Sequence, residues 1–187
     1  YLDNCNIHDL EYTKKIFKKD FNCNLDDKYI IKDIIASGSI GQVYKIQDKI
    51  YNKEYCLKIT HPNLLLQYYS FYIIYYLSFI FINYKSIIPL YNFNIFLQDI
   101  KGQFNLINEV NNCLQLKELI HNKIIIIPNI IQFSENIIIM SYNPGKKFND
   151  ISLFLQKKIL LYHIININYC GYGYILHGDI HSGNWSI

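Results

Sequence analysis

Arginine is absent from this sequence, and charged residues of every kind are scarce. Charged residues make up 18% of the 187 positions, and the formal net charge is +3. So small an excess of positive charge does not by itself indicate a nucleic-acid partner. The apolar fraction of 51% excludes a disordered chain and is sufficient for one domain with its own core.

Closely spaced cysteine pairs are also missing. The cysteines are odd in number and widely separated, at Cys5, Cys23, Cys56, Cys113 and Cys170. This pattern indicates neither a zinc site nor a disulfide framework, so we expect a reducing compartment. The first residue is Tyr1, and no signal-peptide pattern follows it. We therefore expect a fragment of a longer protein.

The first third of the chain carries patterns typical of an α+β fold. Residues 7–20 form an amphipathic pattern that predicts a helix. Apolar runs at 29–35, 43–46 and 55–59 predict three strands, and the first two are separated by a turn of small residues at 36–41. Short connections of this kind favour an antiparallel meander.

The middle of the chain contains an uncharged segment, residues 64–84, that is about long enough to cross a bilayer. Its tyrosines are spread throughout instead of lying at the ends. This favours a buried or groove-lying helix over a membrane span, and contact with a membrane surface stays open. Further helices are predicted over 93–121 and 150–169, with a strand pair at 130–133 and 137–140.

Three sequence features stand in an order that suits phosphoryl transfer. The first is the small-residue turn, which lets backbone N–H groups approach phosphates. The second is a strand lysine that neutralises phosphate oxygens, and the third is an aspartate–asparagine pair that acts on the acceptor and binds a divalent metal. The residues are Ala36, Ser37, Gly38, Ser39, Gly41, Lys58, Asp179 and Asn184.

Each feature taken alone has an ordinary explanation. Serine and glycine are frequent in hairpin turns, and Lys58 is typical of a strand edge. The loop at 177–184 also fits a polar connection, or a metal cluster of His177, Asp179 and His181. All three features in this order favour a nucleotide site.

Residues 35–44 (IASGSIGQVY) resemble the alanine-rich nucleotide loop of the UbiB/AarF/ADCK family of atypical kinases. Residues 55–62 (YCLKITHP) resemble the third strand of that family, where a lysine and then a His-Pro or Arg-Pro pair recur. Residues 177–184 (HGDIHSGN) resemble its catalytic loop. The nucleotide-loop match is specific, whereas aminoglycoside and choline kinases share the catalytic loop.

The resemblance implies a protein-kinase-like bilobal α+β fold. It would have a helical lead-in over 1–27, a small lobe over 28–143 and the start of a large lobe over 144–187. It also implies ATP or ADP with Mg²⁺, and a role linked to isoprenoid-lipid metabolism at membranes, without nucleic acid. The implied site residues are the turn (Ala36, Ser37, Gly38, Ser39 and Gly41), Lys58, Met140 at the hinge, catalytic Asp179 and metal-binding Asn184.

The sequence departs from the family pattern near the lysine. Gln103 aligns with the family glutamate that pairs with the strand lysine, which leaves Glu109 as the other possible partner of Lys58. The family K-x-G-Q and D-F-G-type motifs are expected before Tyr1 and after Ile187. We therefore expect the fragment to be a poor catalyst. A small-molecule phosphotransferase of the aminoglycoside or choline kinase type, and a catalytically weakened pseudokinase, are the alternatives.

Overall fold

The computed structural model describes residues 7–81, 93–119, 126–146 and 150–168. Both helices and strands are present, as expected for an α+β protein. The helices are α1 (Leu10–Phe21), α2 (Leu25–Lys28), α3 (Leu64–Phe81), α4 (Phe93–Gln103), α5 (Leu106–Leu119) and α6 (Leu153–Asn168). The strands are β1 (Tyr29–Ser37), β2 (Gly41–Asp48), β3 (Glu54–Thr60), β4 (Ile130–Phe133) and β5 (Ile137–Ser141).

The five strands form one sheet in the order β1-β2-β3-β5-β4. The pairs β1–β2, β2–β3 and β4–β5 are antiparallel, which confirms the predicted meander. The register of β1 against β2 shifts twice, between Ile31 and Asp33 and between Ile34 and Ala36. Irregularities of this kind bend a strand locally, and the second one lies directly before the small-residue turn.

The turn between β1 and β2 is shorter than the sequence predicts. Ser37 pairs with Gln42 in the ladder, and β2 already begins at Gly41. Only residues 38–40 connect the strands, and the N–H of Gly38 donates to the carbonyl oxygen of Gly41 at 3.0 Å. Small residues are frequent in turns, but they also form ladder pairs when a neighbouring strand lies alongside them, as it does here.

The core lies between α1 and one face of the sheet. Side chains on a strand alternate between faces, and every second residue of β2 and β3 is buried. Phe17 of α1 is fully buried against this face. The buried strand residues on this face are Tyr44, Ile46, Tyr55, Leu57 and Ile59.

Local caps define α1. The carboxylate of Asp9 accepts a hydrogen bond from the N–H of Glu11, and Asn22 ends the helix with a left-handed φ of 55°. The Asp20 carboxylate accepts hydrogen bonds from Ser134 and Asn136 in the turn between β4 and β5. The lead-in helix is therefore attached to the sheet as well as packed on it.

The chain divides into two compact units. One consists of Tyr1–Val110 with Ile130–Met140, and the other of Asn111–Asn129 with Ser141–Ile187. The lead-in helix and most of the sheet belong to the first unit. In the second, the Asn129 N–H donates to the Ser141 hydroxyl at 3.0 Å, and the Ser141 N–H donates back to the Asn129 carbonyl oxygen at 2.9 Å.

Helix α3 (Leu64–Phe81) lies within the segment 64–84, for which the sequence predicts a buried or groove-lying helix and leaves contact with a membrane surface open. Leu64 is buried, but most of the apolar side chains described after it are exposed, including Leu66, Ile73 and Leu77. Within the described residues, none of the helices has the length and apolar character needed to cross a membrane. The exposure of these side chains does not fit full burial, and contact of α3 with a groove or with a membrane surface stays a prediction.

Candidate functional site

The open face of the sheet carries the predicted strand lysine. Ala36 is the cross-strand partner of Val43, and Val43 is the partner of Lys58. Directly opposed residues point to the same face, so the three form one row across β1, β2 and β3. Cys56 lies on the same face, and burial raises the pKa of its thiol to about 11. Cys56 therefore acts as a small apolar residue here.

The turn at 38–40 lies next to this row, one residue pair beyond Ala36 and Val43 along β1 and β2. Within the described part of the chain, the backbone N–H groups of Ser39 and Ile40 donate no hydrogen bond. Gly41 allows the close approach of β2 and β3, because a Cβ at this position would lie 2.4 Å from the carbonyl oxygen of Ile59. Two N–H groups without a protein acceptor are what an anionic oxygen requires.

Lys58 is paired with Glu109. The Nζ atom of Lys58 donates to both carboxylate oxygens of Glu109, at 2.8 Å to Oε1 and 2.6 Å to Oε2. Both side chains are partly accessible to solvent, so the pair can be reached by a ligand. Contact with both oxygens is a charge-assisted interaction that directs the ammonium group.

The start of α5 places Glu109 beside the sheet. The Asn105 side chain accepts a hydrogen bond from the N–H of Ile107, and the N–H of Leu106 donates to the carbonyl oxygen of Glu135 at 2.8 Å. Leu106 and Val110 are both buried against Ile138 of β5. Positions four apart share one helix face, so their burial sets the rotation of α5, and Glu109 lies at the edge of that face.

Gln103 does not take this position. It is the exposed last residue of α4, and among the described residues the polar contacts of Lys58 go to Glu109. The alignment that put Gln103 opposite the family glutamate therefore does not describe the three-dimensional arrangement. The family motif was matched by spacing, whereas the contact depends on where α5 begins.

On the hypothesis of a nucleotide site drawn from the sequence, replacing Glu109 with glutamine is expected to weaken nucleotide binding about fivefold, because the Lys58 ammonium group loses the charged partner that directs it. Replacing Gln103 with alanine is expected to leave affinity within about twofold, since surface changes away from a site have small effects. Titration calorimetry with Mg-ATP measures both. Equal effects of the two variants would contradict the assignment of Glu109 as the partner.

The remaining predicted residues fall into two groups. Met140 of β5 packs, with Ile130, against the cluster of Leu106, Val110 and Ile138. Asp179 and Asn184 lie outside the described residues, as do His177 and His181, so their roles stay predictions. Within the described ranges, no group of three or more histidine, cysteine or acidic side chains is placed to hold a metal.

A second group of polar side chains next to the turn was not predicted from the sequence. His8, Thr13, Tyr44 and His61 form a connected set of hydrogen bonds. His61 belongs to the His-Pro pair, which was the only signal for it. His8 precedes the first helix and carries no local signal, because its partner is 53 residues away.

Acidification from pH 6.5 towards pH 4 is expected to destabilise the fold around α1. Burial, and then the neighbouring His61, lower the pKa of His8 from 6.5 to about 4, whereas Asp9 acts in the opposite direction. As the pH falls, His8 therefore binds a proton in the unfolded chain before it does so in the folded protein. The free energy of unfolding decreases as the pH is lowered from 6.5 towards 4. Above pH 6.5 the contribution of neutral His8 is fully present.

Chemical denaturation above pH 6.5 and near pH 4 measures this effect. His8→Asn removes the titrating group, and it is expected to reduce the loss of stability between the two conditions. The other titratable groups around His8 are Asp9, Tyr12, Tyr44 and His61. An unchanged pH dependence in the variant would show that His8 is not the source of the acid sensitivity.

A strand lysine paired with a helix glutamate, beside a short turn between the first two strands, defines the nucleotide lobe of kinase-like proteins. The family model of the ABC1 atypical kinase-like domain matches residues 1–187 of the sequence. The chain belongs to this family, which is the UbiB/AarF/ADCK family that the sequence motifs indicated. A search of curated proteins found no match.

Solved structures agree on the fold. One similar structure is the complex of Rv3197 with erythromycin from Mycobacterium tuberculosis, with a TM-score of 0.73 and 13% sequence identity. The alignment covers 96% of this chain and 48% of that chain, so this chain spans about half the length of the protein it resembles. The predicted α+β, kinase-like fold class is confirmed.

Proposed function

We propose that this chain is the nucleotide-binding part of an atypical kinase that takes ATP or ADP with Mg²⁺. The observation that carries the proposal is the ion pair of Lys58 with Glu109 on the open sheet face. In kinases, a pair of this kind holds the lysine against the phosphates of the nucleotide. A structural lysine on a sheet surface needs no such directed contact with both carboxylate oxygens.

The residues around the pair support the same assignment. The free N–H groups of Ser39 and Ile40 would donate to phosphate oxygens, and Lys58 would neutralise them. Ala36, Val43 and Cys56 would offer a small apolar surface to the base. Bound nucleotide would supply the phosphoryl group, while these residues bind and orient it.

The catalytic part of the proposal concerns the loop at 177–184. Asp179 would orient or deprotonate the acceptor, and Asn184 would contribute an oxygen to the metal. The pseudokinase alternative was motivated by Gln103 in place of the family glutamate and by the uncharged segment 64–84, and the contact of Lys58 with Glu109 weakens the first of these motives. We therefore favour phosphoryl transfer or ATP hydrolysis over a purely structural role.

Titration calorimetry with ATP and ADP, each with and without Mg²⁺, tests the proposal. We expect saturable binding that Mg²⁺ strengthens. No detectable binding at nucleotide concentrations typical of cells would contradict it. Nucleotide hydrolysis measured on the same samples separates the two forms of the proposal, because a pseudokinase binds without turnover.

The exposed face of α3 supports a further part of the proposal, contact with a membrane surface during isoprenoid-lipid metabolism. Leu66, Ile73 and Leu77 recur at helical spacing and are 69%, 59% and 45% exposed. Ile73→Glu is expected to release the protein from lipid vesicles in a flotation assay. Gln67→Glu adds the same charge at an exposed polar position of the same helix and serves as the control; equal release by both would point to charge alone.

A further inference from the structure

The histidine of the His-Pro pair makes two contacts with the turn. The backbone N–H of His61 donates to the carbonyl oxygen of Ile40 at 2.9 Å. Its ring nitrogen Nε2 lies 2.9 Å from the carbonyl oxygen of Gly38, with the Ser37 hydroxyl farther away at 3.4 Å. One residue therefore holds two carbonyl groups of a three-residue turn, while the N–H groups of Ser39 and Ile40 stay available.

The hydrogen-bond partners determine which nitrogen of each ring carries hydrogen. A carbonyl oxygen only accepts, so Nε2 of His61 is the donor to Gly38. In the neutral ring, Nδ1 of His61 is then an acceptor. The two Nδ1 atoms are 2.8 Å apart, and the hydrogen between them therefore belongs to His8.

The same reasoning extends the chain of hydrogen bonds to β2. With Nδ1 of His8 as donor, its Nε2 accepts the hydroxyl hydrogen of Thr13 at 3.0 Å. Thr13 in turn accepts from the hydroxyl of Tyr44 at 2.9 Å, and burial raises the pKa of Tyr44, so that this hydroxyl keeps its hydrogen. Each donor in this series has an acceptor, and every hydrogen bond is donated in the direction of the turn.

Helix α1 anchors this series of hydrogen bonds through Thr13. Thr13 is fully buried on α1, one helical turn before Phe17 in the core. The backbone N–H of His8 donates to the side chain of Gln42, which follows Gly41 in β2. The lead-in segment thus contacts the turn region through two groups of His8, its backbone N–H and its ring, and neither contact uses a residue of the ion pair.

We propose that His61 and His8 are positioning residues for the nucleotide turn, and that the lead-in helix controls the conformation of the turn through the chain Tyr44–Thr13–His8–His61–Gly38. The inference rests on the proposed function, since the turn is taken to bind phosphate. Neither histidine contacts the nucleotide. His61 acts by holding the carbonyl groups of Gly38 and Ile40 back, so that the N–H groups of the turn face the ligand, and His8 acts through His61.

Two variants of His61 separate the contacts. An amide nitrogen of glutamine lies close to the position of Nε2, and that of asparagine lies close to Nδ1. His61→Gln keeps the bond to Gly38 but loses the one from His8 Nδ1, and we expect Mg-ADP affinity about twofold weaker than that of the wild type. His61→Asn loses that bond, and we expect affinity about fivefold weaker, in line with the loss of one hydrogen bond. Equal affinities of the two variants would overturn the inference.

Two measurements without nucleotide test the chain itself. Nitrogen-15 NMR of the imidazole rings is expected to show a coupling across the N–H···N bond that disappears in His8→Ala. Hydrogen exchange at the Gly38 N–H is expected to be faster in His61→Asn than in His61→Gln. Absence of the coupling, or equal exchange rates, would overturn the inference.

The proposed function and this inference fail in different ways. If Lys58→Ala weakens binding and His61→Asn does not, the nucleotide site stands and the positioning role is wrong. If the wild-type protein binds no nucleotide, the proposed function fails. In that case the NMR and exchange measurements still decide whether His61 and His8 hold the turn.

Discussion

Replacing Lys58 with alanine is expected to weaken Mg-ATP binding about 10- to 100-fold, the effect of losing a hydrogen bond to a charged group. Lys58 stands in one row with Ala36 and Val43, next to the turn that would hold the phosphates. Its Nζ atom is directed by Glu109, so little conformational freedom is lost when nucleotide binds. Titration calorimetry measures the affinity, and the melting temperature shows whether the variant stays folded.

Lys45 provides the matched control. It lies on the same sheet face, and its Nζ atom lies 2.8 Å from Oε1 of Glu54. It is two residues farther from the turn than Val43 is. We expect Lys45→Ala to change affinity by less than about twofold, as for exposed ion pairs generally. Equal losses of affinity in the two variants would mean that the positive charge of this sheet face as a whole attracts the nucleotide, and that Lys58 has no specific role.

Replacing Gly41 with alanine is expected to lower the melting temperature by about 5–10 °C and to weaken nucleotide binding with it. The new Cβ would meet backbone atoms of β3, at 2.4 Å from the Ile59 carbonyl oxygen and 3.1 Å from its carbon. Backbone atoms cannot rotate away as a flexible side chain can. The two strands must therefore separate where the turn and Lys58 are held.

Gly38→Ala is the control for this prediction. The nearest atom to a Cβ at Gly38 is the Gly41 carbonyl oxygen at 3.9 Å, and the backbone of Gly38 is not left-handed. We expect a melting temperature equal to or above that of the wild type, because alanine restricts the unfolded chain more than glycine does. A loss as large as that of Gly41→Ala would show that the turn tolerates no side chain, and that strand contact is not the cause.

The sequence predicted the elements better than the contacts between them. The helix at 7–20 and the three strands follow from local periodicity, since each element buries one face. The limits of the turn were wrong by two residues at its start and one at its end, because Ala36, Ser37 and Gly41 continue the ladder. Small residues are compatible with both a turn and a paired strand, and only the partner strand distinguishes them.

The partner of Lys58 shows why spacing is a weaker guide than geometry. A motif alignment placed Gln103, which ends α4, at the position of the family glutamate and left Glu109 as the other possible partner. Asn105 and the bond from Leu106 to Glu135 start a new helix between them. The burial of Leu106 and Val110 then rotates Glu109 towards the sheet, and no local pattern encodes that rotation.

The sequence by itself determined the family, the order of the helices and strands, and the strand lysine as the central residue, because each of these depends on neighbouring residues or on a short motif. Only the tertiary structure decided that Glu109 is the partner of Lys58, and that His8 reaches the nucleotide turn through His61. The physical reason is that both contacts join residues more than 50 positions apart, and packing of the core, not the chemistry of either residue alone, brings them together.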